Sequence, residues 1–132
     1  MWSIFWDGKY KSGFRGSKQI SNSAELFEIL CTRDPDGDAE FVLQNDKTTH
    51  ENLTISVTDN RWFLYFFPED NTKCGFQSLG NNTDNYATTT MPAGSNIDVM
   101  NYTLVTEEQA FKAAETYMQT GNMPTCINWE EL

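Results

Sequence analysis

Only one histidine, His50, occurs in this sequence, and only three cysteines, Cys31, Cys74 and Cys126. The cysteines are odd in number, far apart and without a C-x-x-C pair, which argues against a disulfide framework or a zinc site. Free, buried thiols in a reducing cytosol are expected instead, and a cytoplasmic location with them. Basic residues are scarce too: nine Lys and Arg face nineteen Asp and Glu, for a net charge of −10. No apolar run approaches the roughly eighteen residues of a membrane span. The opening segment Met1–Asp7 has no basic region and is interrupted by Asp7, so it does not read as a secretory signal. Gly75 and Gly80 bracket a strand with no lysine following, which excludes a phosphate-binding loop. No serine or cysteine stands in a nucleophile motif that His50 could serve. Catalysis, a metal and a cofactor are therefore not expected.

Rings and carboxylates are what the chain has in plenty. Nine Phe, five Tyr and four Trp in 132 residues, with 39% hydrophobic residues overall, predict one folded domain over 1–132 with a core built from aromatics. The charge is unevenly spread, at +3 over residues 1–18 and −13 over the remainder. Such a surface repels nucleic acid and anionic membrane, and steers a basic partner toward it.

Along the chain, Trp2, Ile4 and Trp6 alternate with Ser3, Phe5 and Asp7 as in a strand, and Asp7-Gly8 suits a hairpin turn. The partner strand is expected from Lys9-Tyr10 toward Phe14, weakened by Gly13 and Gly16. Asn22 and Glu25 open a first helix with Ala24, Leu26, Phe27, Leu30 and Cys31 on its apolar face, and Asp34-Pro35 ends it. Strands follow at Glu40–Leu43, then at Leu53–Thr58 with a half-buried alternation. Asp59-Asn60 turns the chain into Trp62–Phe67, apolar on both faces and so expected to be central and covered twice. After Pro68–Asn71 comes Cys74–Leu79. Gly80 to Gly94, rich in Asn, Thr, Gly and Asp, reads as a long irregular loop. Asn96–Leu104 is the last expected strand. The order β-β-α-β-β-β-β-β-α predicts an α+β fold: a meandering antiparallel sheet with two main helices packed against it.

Several clusters invite a chemical reading. Asp34, Asp36 and Asp38 alternate ahead of Glu40, yet a calcium loop needs glycine sixth and glutamate twelfth. Counted from Asp34 the glycine is fourth and the twelfth residue is Asn45. A solvated acidic turn, or an acidic contact for a partner, fits better. Carboxylate neighbours such as Glu69-Asp70 and Glu107-Glu108 occur in any chain this acidic and do not mark a glycosidase. The turn carrying Glu69 and Asp70 is an interface candidate because it combines exposure with charge.

The final quarter is the most informative. Thr106 and Gln109 form a capping box, and Ala110, Phe111, Ala114, Tyr117 and Met118 recur on one helix face. Glu108 and Lys112 are spaced to pair on the other face. Gly121 ends the helix and Pro124 prevents its restart. Ala110, Ala113, Tyr117, Thr120-Gly121-Asn122-Met123-Pro124 and Trp129-Glu130-Glu131 follow each other in order. Upstream lie the aromatic run Arg61–Phe67 and Gly75-Phe76-Gln77-Ser78-Leu79-Gly80. This set resembles the signature of immunity protein family one, from bacterial polymorphic toxin systems, in the second half of the chain closely and in the first half in outline.

The resemblance implies an antidote that binds one cognate toxin domain in a one-to-one complex and blocks it. Toxins associated with the family include nucleic-acid enzymes, especially DNA cytosine deaminases, whose basic channels an acidic inhibitor would suit. Neither nucleic acid nor membrane is an expected direct partner. From charge and expected exposure, rather than from the family signature, the toxin-binding candidates are Asp34, Asp36, Asp38, Glu69, Asp70, Asp84 and Tyr86. The signature residues Gly75, Ser78, Gly80, Gly121, Pro124 and Trp129 read as structural, with the Trp129 ring plugging the core. The alternative is an acidic nucleic-acid mimic that inhibits DNA- or RNA-binding proteins in general.

Overall fold

Alternation in the first segment gives strand β1, Trp2–Asp7, with Ile4 fully buried and Phe5 on the opposite, open face. The computed structural model describes residues 1–7, 15–33, 38–93 and 95–132. The expected Asp7-Gly8 turn and the segment from Lys9 to Phe14 thus lie at or beyond the edge of the described residues. The strand that pairs with β1 is β2, Arg15–Ile20. Gly16, read from sequence as a weakness, is accommodated for a steric reason. It faces Trp6 across the pair, and a Cβ there would sit 2.6 Å from the indole.

Helix α1, Ser23–Leu30, starts as expected: the Asn22 side chain accepts from the Glu25 N–H at 2.9 Å, and the Glu25 carboxylate receives Ser21 and Asn22 in return. It ends earlier than expected. The Cys31 and Thr32 N–H groups bond back to Phe27 and Ile29, closing the last turn before Asp34-Pro35, which lies outside the described residues.

Strands β3 (Ala39–Asn45), β4 (Asn52–Thr58), β5 (Arg61–Phe67) and β6 (Phe76–Leu79) then meander antiparallel. Asp59 takes a left-handed φ of 51° in the tight β4–β5 turn. The full sheet has seven strands in the order β2-β1-β3-β4-β5-β6-β9. Its last member, β9 (Asn128–Glu131), is the segment read from sequence as a tail; it pairs antiparallel with β6 and so becomes a sheet edge.

Gly80 to Gly94 is not one long loop. Its second half forms β7, Thr88–Ala93, which pairs with β8, Ser95–Met100, as a separate two-stranded sheet. Composition concealed a strand whose threonines suit β-structure and whose Pro92 is tolerated because both strands of a two-stranded sheet are edges. The expected strand to Leu104 stops at Met100, where a 3-10 turn over Asn101–Thr103 bends the chain. Helix α2, Glu107–Thr120, carries the complete Thr106–Gln109 capping box and ends at Gly121 with φ of 70°. On its surface Lys112 pairs with Glu115 at 3.2 Å, not with Glu108 as the spacing suggested.

The sheet divides the protein into two layers of unequal depth. On one face α1 and α2 pack over Ile4, Phe41, Leu43, Leu53, Ile55 and Leu64, all buried. Tyr117 lies fully buried in this layer, edge-on to Trp2 and Phe66, with its hydroxyl donating to Glu51 at 2.8 Å. On the other face the β7–β8 hairpin covers only the middle: Met91 and Val99 pack on Phe63, and the Ser56 hydroxyl donates to the Pro92 carbonyl. That lid explains why β4 is buried on both sides, including Thr54 and Ser56, where alternation predicted one wet face. It also covers β5 twice over Trp62–Leu64, as expected, whereas Tyr65 is half-buried and Phe67 is exposed. The three cysteines correct another expectation, since all are free and exposed rather than buried.

The signature residues hold this arrangement together. The buried Ser78 hydroxyl accepts from the Leu64 N–H at 3.1 Å and donates to the Thr103 carbonyl at 2.8 Å, joining β6, β5 and the 3-10 turn. Gly80 donates to Tyr102 at 2.8 Å, and a Cβ there would fall 1.9 Å from the Leu104 oxygen. The Trp129 indole packs toward Phe66 and donates to the Pro124 carbonyl at 2.7 Å, as a core plug should. We therefore expect Ser78→Ala to cost about 1–3 kcal/mol for each buried group it strands. Gly80→Ala should cost more, because its clash is with backbone. Urea unfolding of both variants checks the ranking, and equal midpoints for Ser78→Ala and the parent would refute it.

Candidate partner-binding surface

Strand register decides which of the acidic candidates can act together. Asp38 immediately precedes β3 and accepts a short hydrogen bond from the Thr58 hydroxyl, at the end of the sheet where β4 turns into β5. Glu69 and Asp70 follow β5, at the opposite end, about 20 Å away by strand length. Asp84 and Tyr86 lie in the segment after β6, whose Leu79 end points toward the Asp59 turn, so they share Asp38's end of the sheet. Asp34 and Asp36 lie outside the described residues. The described candidates thus fall at two ends of the sheet and do not form one patch.

The two groups also differ in how fixed their charges are. Glu69 is a structural acceptor: its carboxylate takes the N–H groups of Thr49 and His50 at 2.9–3.1 Å, with Glu51 N–H at 3.5 Å. Partial desolvation pushes its pKa up, but the His50, Thr49 and Glu51 amides together outweigh this and hold the carboxyl below its ordinary value. Asp70 is held low chiefly by the Thr72 hydroxyl, at 2.6 Å, and then by the Thr72 N–H. His50 contributes a backbone amide here and sits exposed in a polar turn. Asp84 is an exposed turn residue, and Tyr86 is the most exposed aromatic among the described residues, at 68%.

Beside Tyr86 the structure assembles a site that strand alternation could not reveal. Tyr86 meets Tyr102 edge-to-face at 5.9 Å. The Tyr102 hydroxyl donates to Glu130 Oε1 at 3.1 Å, and Gln77 Nε2 donates to the same oxygen at 2.6 Å. That contact with Glu130, aided by partial desolvation, raises the Tyr102 hydroxyl above the usual phenol range and keeps it a donor. Leu79, Thr83, Tyr86, Tyr102 and Glu130 line a cleft of about 290 Å³. Glu130 was visible in the W-E-E motif. Tyr102 was not, because it was read as part of a strand, and only the 3-10 turn aims it at β9.

From this cleft, the face of the sheet away from the helices continues as a cross-strand row: Glu130, Gln77, Tyr65, Thr54, Val42, Phe5. Phe5 is 44% exposed and Phe67, in the next row, 37%. Phe63, Tyr65 and Phe67 touch in succession along β5, with centroids 4.5 and 5.5 Å apart. This half-open face thus carries exposed aromatic side chains beside the acidic cleft. Among the described residues no group of His, Cys, Asp and Glu could hold a metal ion, and no helix is long and apolar enough to cross a membrane.

The role given to Glu69 has a signed pH dependence. A carboxyl whose pKa is lowered by folding stabilises fully above its ordinary value of 4.5 and loses that contribution as pH falls through the lowered one. Glu69→Gln should therefore be less stable than the parent at neutral pH, with the gap narrowing in acid. Urea unfolding at neutral pH and near pH 3 measures this; a gap of constant size would rule out the carboxylate as the anchor of the 49–51 turn.

Residues 24–131 match the family model described as Immunity protein Imm1. No curated protein matches the chain.

Proposed function

We propose, from the premise that this chain belongs to the Imm1 family of immunity proteins of polymorphic toxin systems, that it neutralises a nucleic-acid-targeting toxin by stoichiometric occlusion. An immunity protein implies a cognate toxin as partner, and members of such a family typically inhibit by binding and not by catalysis. The finer reading concerns the toxin's chemistry. An enzyme that holds DNA or RNA does so in a basic channel lined by Lys and Arg. The observation that carries the proposal is the −13 charge over residues 19–132, set on a scaffold whose signature residues are consumed in holding the fold.

A DNA cytosine deaminase is the specific toxin we favour, with a nuclease as the neighbouring possibility. Inhibition requires only that the acidic surface cover the substrate cleft in the cytoplasm of the producing cell. Asp38, Asp84 and Tyr86 at one end of the sheet, and Glu69 and Asp70 at the other, are the proposed contacts, with Asp34 and Asp36 preceding Asp38 in sequence. Two acidic groups about a strand's length apart could engage both walls of a channel, and the aromatic row between them could supply the desolvated centre.

The test is co-purification with the toxin domain encoded in the adjacent reading frame, followed by titration of that toxin's activity. A one-to-one complex, with activity lost at equivalence, is expected. Asp84→Lys should slow association and flatten its salt dependence while leaving thermal stability unchanged, since rim charges act mainly on the encounter. Binding of many unrelated basic proteins with similar affinity would instead favour the acidic-mimic reading.

A further inference from the structure

We infer that the Tyr86–Tyr102–Glu130 cleft is a receptor for a single arginine side chain presented by the toxin. The inference rests on the toxin-binding reading but makes a narrower claim, about one chemical group in one place. Three observations converge on it. The cleft has a carboxylate in its wall and two tyrosine rings set edge-to-face beside it, at 5.9 Å. Both internal hydrogen bonds to Glu130, from Gln77 and Tyr102, land on Oε1, so Oε2 has no partner among the described residues. No Lys or Arg is among the lining residues, so the charge of Glu130 is not answered from within the cleft.

Two other clefts among the described residues already hold a basic side chain. The larger one between the helices, lined by Phe27 and Phe111 with Glu107, Glu108 and Glu115, already contains Lys112, paired with Glu115 at 3.2 Å. The cleft beside Trp62 holds Arg33, whose guanidinium lies 5.4 Å from the indole centroid. That internal Arg–Trp contact shows the same chemistry satisfied within the chain.

Size and shape narrow the guest. At about 290 Å³ the cleft falls just below the roughly 300–1,000 Å³ that encloses a whole small molecule. A planar guanidinium can stack on the exposed Tyr86 ring while its N–H fork donates to Glu130. Gln77 and Tyr102 fix the carboxylate beforehand, so little side-chain entropy remains to be lost on binding. Lysine offers a point charge without the stacking plane and fits less well.

The experiment titrates N-acetyl-arginine methylamide into the full chain and follows the Tyr86 and Tyr102 ring resonances by NMR. The uncharged isostere N-acetyl-citrulline methylamide and the capped lysine serve as comparators. Saturable shifts confined to the arginine probe, and abolished in Glu130→Gln, support the inference; Gln keeps an acceptor for Gln77 and Tyr102, so the loss reports charge and not misfolding. No shifts with arginine, or equal shifts with citrulline, overturn it. In the toxin complex, Glu130→Gln and Tyr86→Ala should each weaken affinity about tenfold or more. If the parent binds toxin and both variants bind it equally well, this cleft is excluded while the immunity reading stands. If the parent binds no toxin but the arginine probe is captured, the immunity reading fails and the arginine site survives.

Discussion

A single buried hydroxyl, that of Ser78, determines how the two layers of this protein meet. Where β6 runs beside Leu64, the serine side chain takes the place of a backbone acceptor and passes the connection on to Thr103. Because the hydroxyl both accepts and donates, it satisfies two main-chain groups that no water can reach. The neighbouring Gly80 lets the 102–104 backbone approach so closely that no side chain could intervene. Val105 is then delivered to the Trp62 carbonyl at 2.9 Å, and Thr106, the cap of α2, follows directly. The G-x-x-S-x-G signature is thus a docking device between backbones.

Much of this was legible in the chain. Caps are local chemistry, and Asn22, Thr106, Gln109 and Gly121 each do what their spacing implied. The apolar run Trp62–Phe67 correctly announced an interior strand, though only its Trp62–Leu64 half is covered on both faces. What misled was non-local. The wet face expected for Thr54 and Ser56 vanished because a hairpin from thirty residues downstream lies over it. That hairpin was itself hidden by Asn- and Thr-rich composition, which does not distinguish a loop from a small polar sheet. The tail Asn128–Glu131 has no period long enough to read as a strand, and became one because the β6 edge was available. Residues 8–14 and 34–37 lie outside the described structure, so the readings placed there stand as expectations.

The functional candidates divide along the same line. Charge was readable from composition, and exposed acids such as Asp84 and Glu69 could be chosen by inspection. What each carboxylate does was not readable, because it depends on which amides fold back onto it. Glu69 is spent on a turn, whereas Glu130 keeps one oxygen free beside two tyrosines. An acidic surface therefore comprises different kinds of carboxylate: some are fixed background to the field, and a few are available to be answered by a partner.

The placement of Glu130 on β9 makes recognition a property of the completed sheet. The β6–β9 ladder pairs Phe76 with Glu131 and Gln77 with Glu130, across the whole of the β7–β8 hairpin and α2. Until that ladder closes, the tyrosines and the carboxylate belong to unconnected parts of the chain. A copy whose β9 is undocked therefore carries the same charge but no receptor.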